Sequence, residues 1–260
     1  MSLIKNDSDL QNLKYSCRIL ASLFWHLQNS IIKPGLDANE INTFVEKFAT
    51  HYNAKSSFNG YKGYAYNLNF SIDNQVTHAF PSKGRIVPHT GLLKIDIGLV
   101  YKGMVSDCCQ TFVMGEVSKE AQALSDKCYE ALWAGIKQVK AGAKLGDIGN
   151  AVDKIAKTHK LGNVRVLGGH GVGYALHDDP WIAHYGKPGK GAKLFINQAI
   201  TIEPMFNLGS DDVEFSKEDG WTVTTSDGSL SAQWEHTIVV TKTGCEVLTH
   251  IPSDQILPLP

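Results

Sequence analysis

One hairpin decides how the first half of this chain folds. It runs as LLKIDIGLV over residues 92–100, turns at YKG over 101–103, and returns as MVSDCCQTFV over 104–113. Each arm is rich in β-branched and other apolar residues, which is typical of buried strands. Each arm also carries one carboxylate near its centre, Asp96 in the first and Asp107 in the second.

The turn of this hairpin sets how the two carboxylates face each other. If Tyr101 and Lys102 form the turn, Asp96 lies directly opposite Asp107. If Lys102 and Gly103 form it, the register moves by two residues and the carboxylates lie diagonally. Side chains alternate between the faces of a strand with period two, so both registers place the two carboxylates on the same face.

Two further acids lie in apolar strands of the second half, namely Glu203 within AITIEP and Glu235 within SAQWEHTIV. Like charges held together destabilise a strand pair unless a shared proton, a basic partner or a cation compensates them. Alternatively, the hairpin of residues 92–113 could lie at a sheet edge, with both of its carboxylates facing solvent. Four acids in apolar strands favour divalent metal, and two ions suit four carboxylates better than one.

The spacing of apolar residues predicts four helices with strands between and after them. We expect the helices at 8–32 with Asp7 or Ser8 as cap, from the cap Asp37 to about residue 52, at 119–139 and at 146–159. The turn Lys33-Pro34-Gly35 matches Lys140-Ala141-Gly142 at an offset of 107, which also aligns Asp96 with Glu203. This repeat predicts two similar α+β halves with a site between them.

Composition excludes several classes of protein. The 260 residues are 43% hydrophobic, and 25 Lys+Arg against 26 Asp+Glu give a net charge of −1, which argues against broad attraction to nucleic acid or anionic membranes. No apolar run approaches the ~20 residues of a membrane helix, and the N-terminus lacks a signal-like stretch. Five cysteines without CxxC spacing argue against disulfide scaffolds and structural zinc. We therefore expect a cytoplasmic protein.

Three histidines lie in segments that could carry chemistry. His170 is flanked by glycines in GGHGVG over 168–173, but Tyr174 stands where a dinucleotide fingerprint needs its third glycine. His177 precedes Asp-Asp-Pro, and His78 lies in VTHAFP. Each histidine taken alone could be an ordinary structural residue.

Together these segments resemble type I methionine aminopeptidase of peptidase family M24. The resemblance spans essentially the whole chain and rests on the order and spacing of Asp96, Asp107, Gly169-His170-Gly171, His177-Asp178-Asp179-Pro180, Thr201-Ile202-Glu203-Pro204 and Gln233-Trp234-Glu235-His236-Thr237. It implies the α+β pita-bread fold, in which two pseudo-symmetric halves form a central antiparallel sheet covered by helices. It also implies a single catalytic domain over residues 1–260.

The resemblance assigns a role to each site residue. Asp96 would chelate one of two divalent ions, Asp107 and Glu235 would bridge both, and His170 and Glu203 would complete the other. The oxygen-rich ligand set is compatible with Mn, Fe, Co or Zn.

The catalytic roles are implied in the same way. The two ions would activate a hydroxide that attacks the carbonyl after the first residue. Glu203 would take its proton, His177 would stabilise the tetrahedral intermediate, and His78 would hold the scissile amide.

The resemblance also implies a pocket for the first residue and a monovalent cation near Ser231. The pocket positions are Phe58, Tyr61, Tyr64, Asn69, Leu176 and Trp221. Asn69 and Leu176 replace a usual cysteine and a usual aromatic residue. Asp73 departs from the pattern near the cation, and Ala79 lacks glycine's freedom in the His78 loop. These departures suggest a diverged second copy.

The implied activity is removal of N-terminal methionine from peptides and nascent proteins with a small second residue. A monomer is expected, with transient contact to the ribosome, no sequence-specific nucleic acid and no membrane. Three alternatives remain at this point: a non-catalytic binding protein of the same fold, a proline-directed aminopeptidase or prolidase, and a type II enzyme. The first would usually lack metal ligands, the second would carry an additional N-terminal domain, and the third would have an insertion between Glu203 and Glu235.

Overall fold

Four helices lie close to their predicted positions. The computed structural model describes residues 2–260. The helices are α1 Asp7–His26, which continues as one π turn at Leu27–Ile31, α2 Ala38–His51, α3 Lys119–Ile136 and α4 Leu145–His159. One-turn 3₁₀ helices occur at Tyr61–Gly63 and Ser253–Gln255.

The helix ends correct the sequence prediction in detail. The cap of α1 is Asn6, whose side chain accepts from the Asp9 N–H at 2.9 Å, and not Asp7 or Ser8. Asp37 caps α2 as predicted and accepts from the Asn39 N–H at 2.8 Å. The third helix ends at Ile136, three residues before the predicted end, because residues 137–139 close it with turns.

Within residues 2–260 the strands form four antiparallel sheets. The first half contains β1 Ala54–Ser56, β2 Asn69–Ile72, β3 Gln75–Thr77, β4 Gly91–Tyr101 and β5 Met104–Met114. The second half contains β6 Gly162–Asn163, β7 Gly169–Gly171, β8 Asp178–Ile182, β9 Ala199–Ile202, β10 Met205–Asn207, β11 Val213–Phe215, β12 Val223–Thr225, β13 Ser231–Gln233, β14 His236–Val240 and β15 Cys245–Val247.

Strand order places the predicted hairpin in the middle of the first half. β4 pairs with β1, β2 and β5, while the second half is built on the order β15-β14-β9-β7-β8. The two smaller sheets have the orders β13-β10-β6 and β11-β12-β3, and the second of these joins strands from both halves.

The hairpin adopts the second of the two registers. Tyr101 lies opposite Met104, so Lys102 and Gly103 form the turn. Asp107 therefore pairs with Gly98 and lies diagonal to Asp96. Both carboxylates are buried, which excludes the alternative in which the hairpin faces solvent.

The predicted repeat is visible in the backbone hydrogen bonds. Gly35 N–H donates to the Val87 carbonyl and Gly142 N–H to the Leu194 carbonyl, each at 2.9 Å, and the offset (142 − 35 and 194 − 87) is 107 in both. Gly35 and Gly142 have φ values of +84° and +89°, a backbone conformation that favours glycine. Each half thus turns between its helices in the same way.

Each half has its own apolar core beneath its helices. α1 and α2 pack on β4 through residues that include Leu23, Phe48 and Ile95. α3 and α4 pack on the strands of the second half through residues that include Leu132, Ile148 and Ile202. The predicted site residues of both halves line one cavity.

Candidate metal centre and substrate pocket

Four acids from four different segments meet in one buried pocket. Asp96 lies on β4, Asp107 on β5, Glu203 directly after β9, and Glu235 between β13 and β14. All four are buried. The repeat predicted that Asp96 and Glu203 occupy equivalent places, and the structure brings both to this pocket together with His170.

The hydrogen bonds across the centre join the two halves. The Asp107 N–H donates to Thr237 Oγ1 at 3.0 Å, and the Thr237 hydroxyl donates to the Asp107 carbonyl at 2.7 Å. The Glu235 N–H donates to the Cys109 carbonyl at 2.8 Å. These bonds therefore fix the main chain of Asp107 relative to that of Glu235.

His170 presents a free lone pair to the acids. Its Nδ1 lies 3.0 Å from the Gly171 carbonyl, and since a carbonyl only accepts, Nδ1 carries the proton. Nε2 lies 3.4 Å from Glu203 Oε1 and 3.8 Å from Asp107 Oδ2. Burial, and then the neighbouring His177, lowers the pKa of His170 to about 3, so the ring is neutral at physiological pH.

The donor set fits a divalent metal ion. One ligand atom from each of Asp107, His170 and Glu235 can be chosen such that all three lie within 4.8 Å of one another. Asp96 Oδ1 and Glu235 Oε1 are buried and accept no hydrogen bond from any residue in 2–260. Buried carboxylate oxygens without donors, beside a neutral imidazole and without a thiolate among them, suit oxygen-preferring and borderline metals.

Electrostatics of the metal-free pocket favour protonated acids. Removal from water raises the pKa of Asp96 to about 7. The 2.8 Å hydrogen bond from the Asn69 amide lowers this pKa, but its effect is smaller than that of desolvation. Desolvation also raises the pKa values of Asp107, Glu203 and Glu235 well above their ordinary values. Among residues 2–260, no lysine or arginine forms an ion pair with them, so a shared proton or a cation must compensate the charge.

Two more histidines border the acids. The His177 ring lies 4.3 Å from the His170 ring, and its Nδ1 is 2.9 Å from the Tyr61 hydroxyl. Burial, and to a lesser degree His177, lowers the pKa of His78 to about 4. In this loop the left-handed residue is His78 itself, with a φ of +61°, so Ala79 does not need the freedom of glycine.

All six predicted pocket residues line the same cavity as the acids. Phe58, Tyr61, Tyr64, Asn69, Leu176 and Trp221 surround it. The rings of Tyr64 and Trp221 meet edge to face at 5.0 Å. Asn69, which replaces a usual cysteine, donates its amide N–H to Asp96 Oδ2 at 2.8 Å.

Sequence reasoning missed several residues of the site. Thr201 links two candidate ligands, because its hydroxyl donates to Glu203 Oε1 at 2.9 Å and accepts from the His170 N–H at 3.0 Å. The sequence contained one indication of this role: Thr201 precedes Glu203 by two residues on a strand, and residues at that spacing lie on the same face. Trp181 and Val166 are 50% and 63% exposed and line an open cleft on the other side of His170. Only their exposure in the fold reveals them.

The chain matches the model of metallopeptidase family M24 over residues 11–242. The chain belongs to this family. A relative from Clostridium acetobutylicum named methionine aminopeptidase is 34% identical over 249 residues, covering 96% of this chain and 99% of its own length. One of the same name from Rickettsia prowazekii is 39% identical over 85% of each chain.

Two solved structures show the same fold. Methionine aminopeptidase from Thermotoga maritima superposes with a TM-score of 0.92 at 33% identity, covering 96% of this chain and all of the other. Xaa-Pro dipeptidase from Bacillus anthracis gives 0.78 at 25% identity, and this chain spans 63% of it. The predicted family and pita-bread fold are confirmed. No helix within residues 2–260 is both long and apolar enough to cross a membrane.

Proposed function

We propose that this M24 chain is a methionine aminopeptidase that removes N-terminal methionine from peptides and nascent proteins with a small second residue. The observation that carries the proposal is one cavity in which the five candidate metal ligands border an aromatic pocket. Aromatic and apolar side chains of this pocket lie beside the acids, where they would contact the first side chain of a substrate. A substrate whose first side chain fills it would present its first peptide bond to the metal ligands.

The whole chain, residues 1–260, would act as one catalytic domain with two divalent ions. Asp96 would hold one ion, Asp107 and Glu235 would bridge, and His170 and Glu203 would complete the second. Divalent ions bound there would supply Lewis acidity and a water ionised near neutral pH. Mn, Fe, Co and Zn are the candidate metals.

Glu203 is placed to move a proton in this reaction. Its Oε1 accepts from Thr201, and its Oε2 lies 3.5 Å from the Gln233 amide nitrogen, so both oxygens have fixed directions. Desolvation raises the pKa of Glu203 in the metal-free pocket, so its carboxyl group can hold a proton there.

The two histidines would act on the substrate amide. When the Tyr61 hydroxyl donates to His177 Nδ1, the proton of the neutral ring resides on Nε2, which can donate to the substrate carbonyl oxygen. His78 is neutral at physiological pH because burial lowers its pKa to about 4, and it can donate an N–H to the amide without carrying charge.

The remaining expectations belong to the same proposal. The substrates would be peptide and nascent-chain N-termini met in the cytoplasm, with transient ribosome contact and a monomeric enzyme. A net charge of −1 supports the absence of a general nucleic-acid partner.

Release of methionine from Met-Ala-Ser, compared with release of leucine from Leu-Ala-Ser, tests the proposal. Metal-stripped protein would be assayed with Mn²⁺, Fe²⁺, Co²⁺ or Zn²⁺ restored. Asp96→Asn should abolish turnover, while Asp211→Asn, which alters a surface ion pair with Arg165, should not. Absence of turnover with every metal, despite bound ions, would favour the non-catalytic binding protein.

A further inference from the structure

The place expected to hold a monovalent cation is already occupied by a lysine side chain. Lys94 on β4 is 1% exposed, and its Nζ donates to the main-chain carbonyl of Asp73 at 2.8 Å. The same carbonyl accepts from the Ser231 N–H at 3.0 Å. Because a carbonyl oxygen has two lone pairs, these two donors leave none directed at an alkali ion.

The Asp73 turn is held firmly in this position. Asp73 and Leu92 exchange hydrogen bonds, since the Asp73 N–H donates to the Leu92 carbonyl and the Leu92 N–H donates to Asp73 Oδ1, each at 2.9 Å. At Gly91 a Cβ would come within 2.5 Å of Asp73 Oδ1, so this close approach requires glycine. These bonds fix the Asp73 residue, and the Ser231 N–H holds its carbonyl in contact with Lys94.

The contact joins three segments that lead to the candidate metal centre. Lys94 precedes Asp96 by two residues on β4, and Ser231 begins the strand that leads to Glu235. Asp73 lies in the turn between β2 and β3. One carbonyl thus receives a donor from each half of the molecule.

We infer that the Lys94 amine replaces the monovalent cation expected between Asp73 and Ser231, so that this chain neither binds nor requires K⁺ or Na⁺ there. Lys94 is then a positioning residue, because its contact with the Asp73 carbonyl holds in place the strands that lead to Asp96 and Glu235. Both the amine and the ammonium form donate N–H to a carbonyl, so the occupancy holds in either protonation state.

The test is the response of thermal unfolding to the cation, measured as Tm in 100 mM KCl minus Tm in 100 mM choline chloride. Wild-type protein should show no response. Lys94→Ser shortens the side chain and frees the carbonyl, so its Tm should rise saturably with KCl, by about 5–10 °C when K⁺ is in ~100-fold excess over its Kd. Lys94→Met keeps the volume filled and should show no response.

A matched control is Lys127→Ser, which removes a lysine paired with Glu130 on the surface and should leave the response at zero. A saturable rise of the wild-type Tm with K⁺ would overturn the inference, as would a folded Lys94→Ser protein that does not respond. If Lys94→Ser does not fold, the wild-type comparison still decides. The readout is stability, so the result does not depend on the proposed peptidase activity.

Discussion

Replacing Asp96 by asparagine should make the metal-free protein more stable at pH 8 but leave its stability almost unchanged near pH 4. The side chain keeps its shape and loses its charge, so the comparison isolates the cost of a buried carboxylate. Desolvation raises the pKa of Asp96 from 3.8 to about 7 in the folded state. Between about pH 4 and pH 7 the folded protein therefore retains a proton that the unfolded chain has lost.

The sign and size of the effect follow from proton linkage. Because the folded pKa is the higher one, the stabilising contribution of the Asp96 proton is complete below about pH 4 and is lost as pH rises through 7. A difference of about 3 pKa units corresponds to about 4 kcal/mol at 1.36 kcal/mol per unit. At pH 8 the unfolding free energy of Asp96→Asn should therefore exceed that of the wild type by about 4 kcal/mol.

The assay is urea unfolding of both proteins between pH 4 and pH 8 in the presence of a chelator. Asp211→Asn serves as the control, because a surface ion pair contributes less than about 1 kcal/mol. With excess Mn²⁺ the order should reverse, since the wild-type carboxylate then has a cation beside it. Equal pH dependence in the wild type and Asp96→Asn, without metal, would refute the idea that burial of this carboxylate is costly.

Three further substitutions probe the pocket. Tyr61→Phe should lower kcat for Met-Ala-Ser by about 3–10-fold with little change in KM or Tm, because the lost hydrogen bond fixes the His177 ring rather than the fold. Asn69→Leu removes the donor to Asp96 and should raise the pKa of that carboxyl, which calorimetric Mn²⁺ titration at pH 7 would detect as weaker binding. Leu176→Ala should lower the unfolding free energy by about 2–5 kcal/mol and raise kcat/KM for Leu-Ala-Ser relative to Met-Ala-Ser, because it enlarges the pocket.

Sequence alone determined the features that depend on local chain geometry. Asp96 and Asp107 had to share a face in either hairpin register, since strand alternation is a property of the backbone. The repeat at an offset of 107 was likewise present in the order of residues, and the matching bonds of Gly35 and Gly142 confirm it. The motifs and their spacing also led to the correct family and fold.

Tertiary structure decided everything that depends on which distant segments meet. The sequence permitted two hairpin registers, and packing selected the one with Lys102 and Gly103 at the turn. It gave no sign that Tyr61 would contact His177, or that the Lys94 amine would reach the Asp73 carbonyl. A side chain's rotamer and partner are set by atoms brought together from far along the chain, whereas its position on a strand or helix is set by its immediate neighbours.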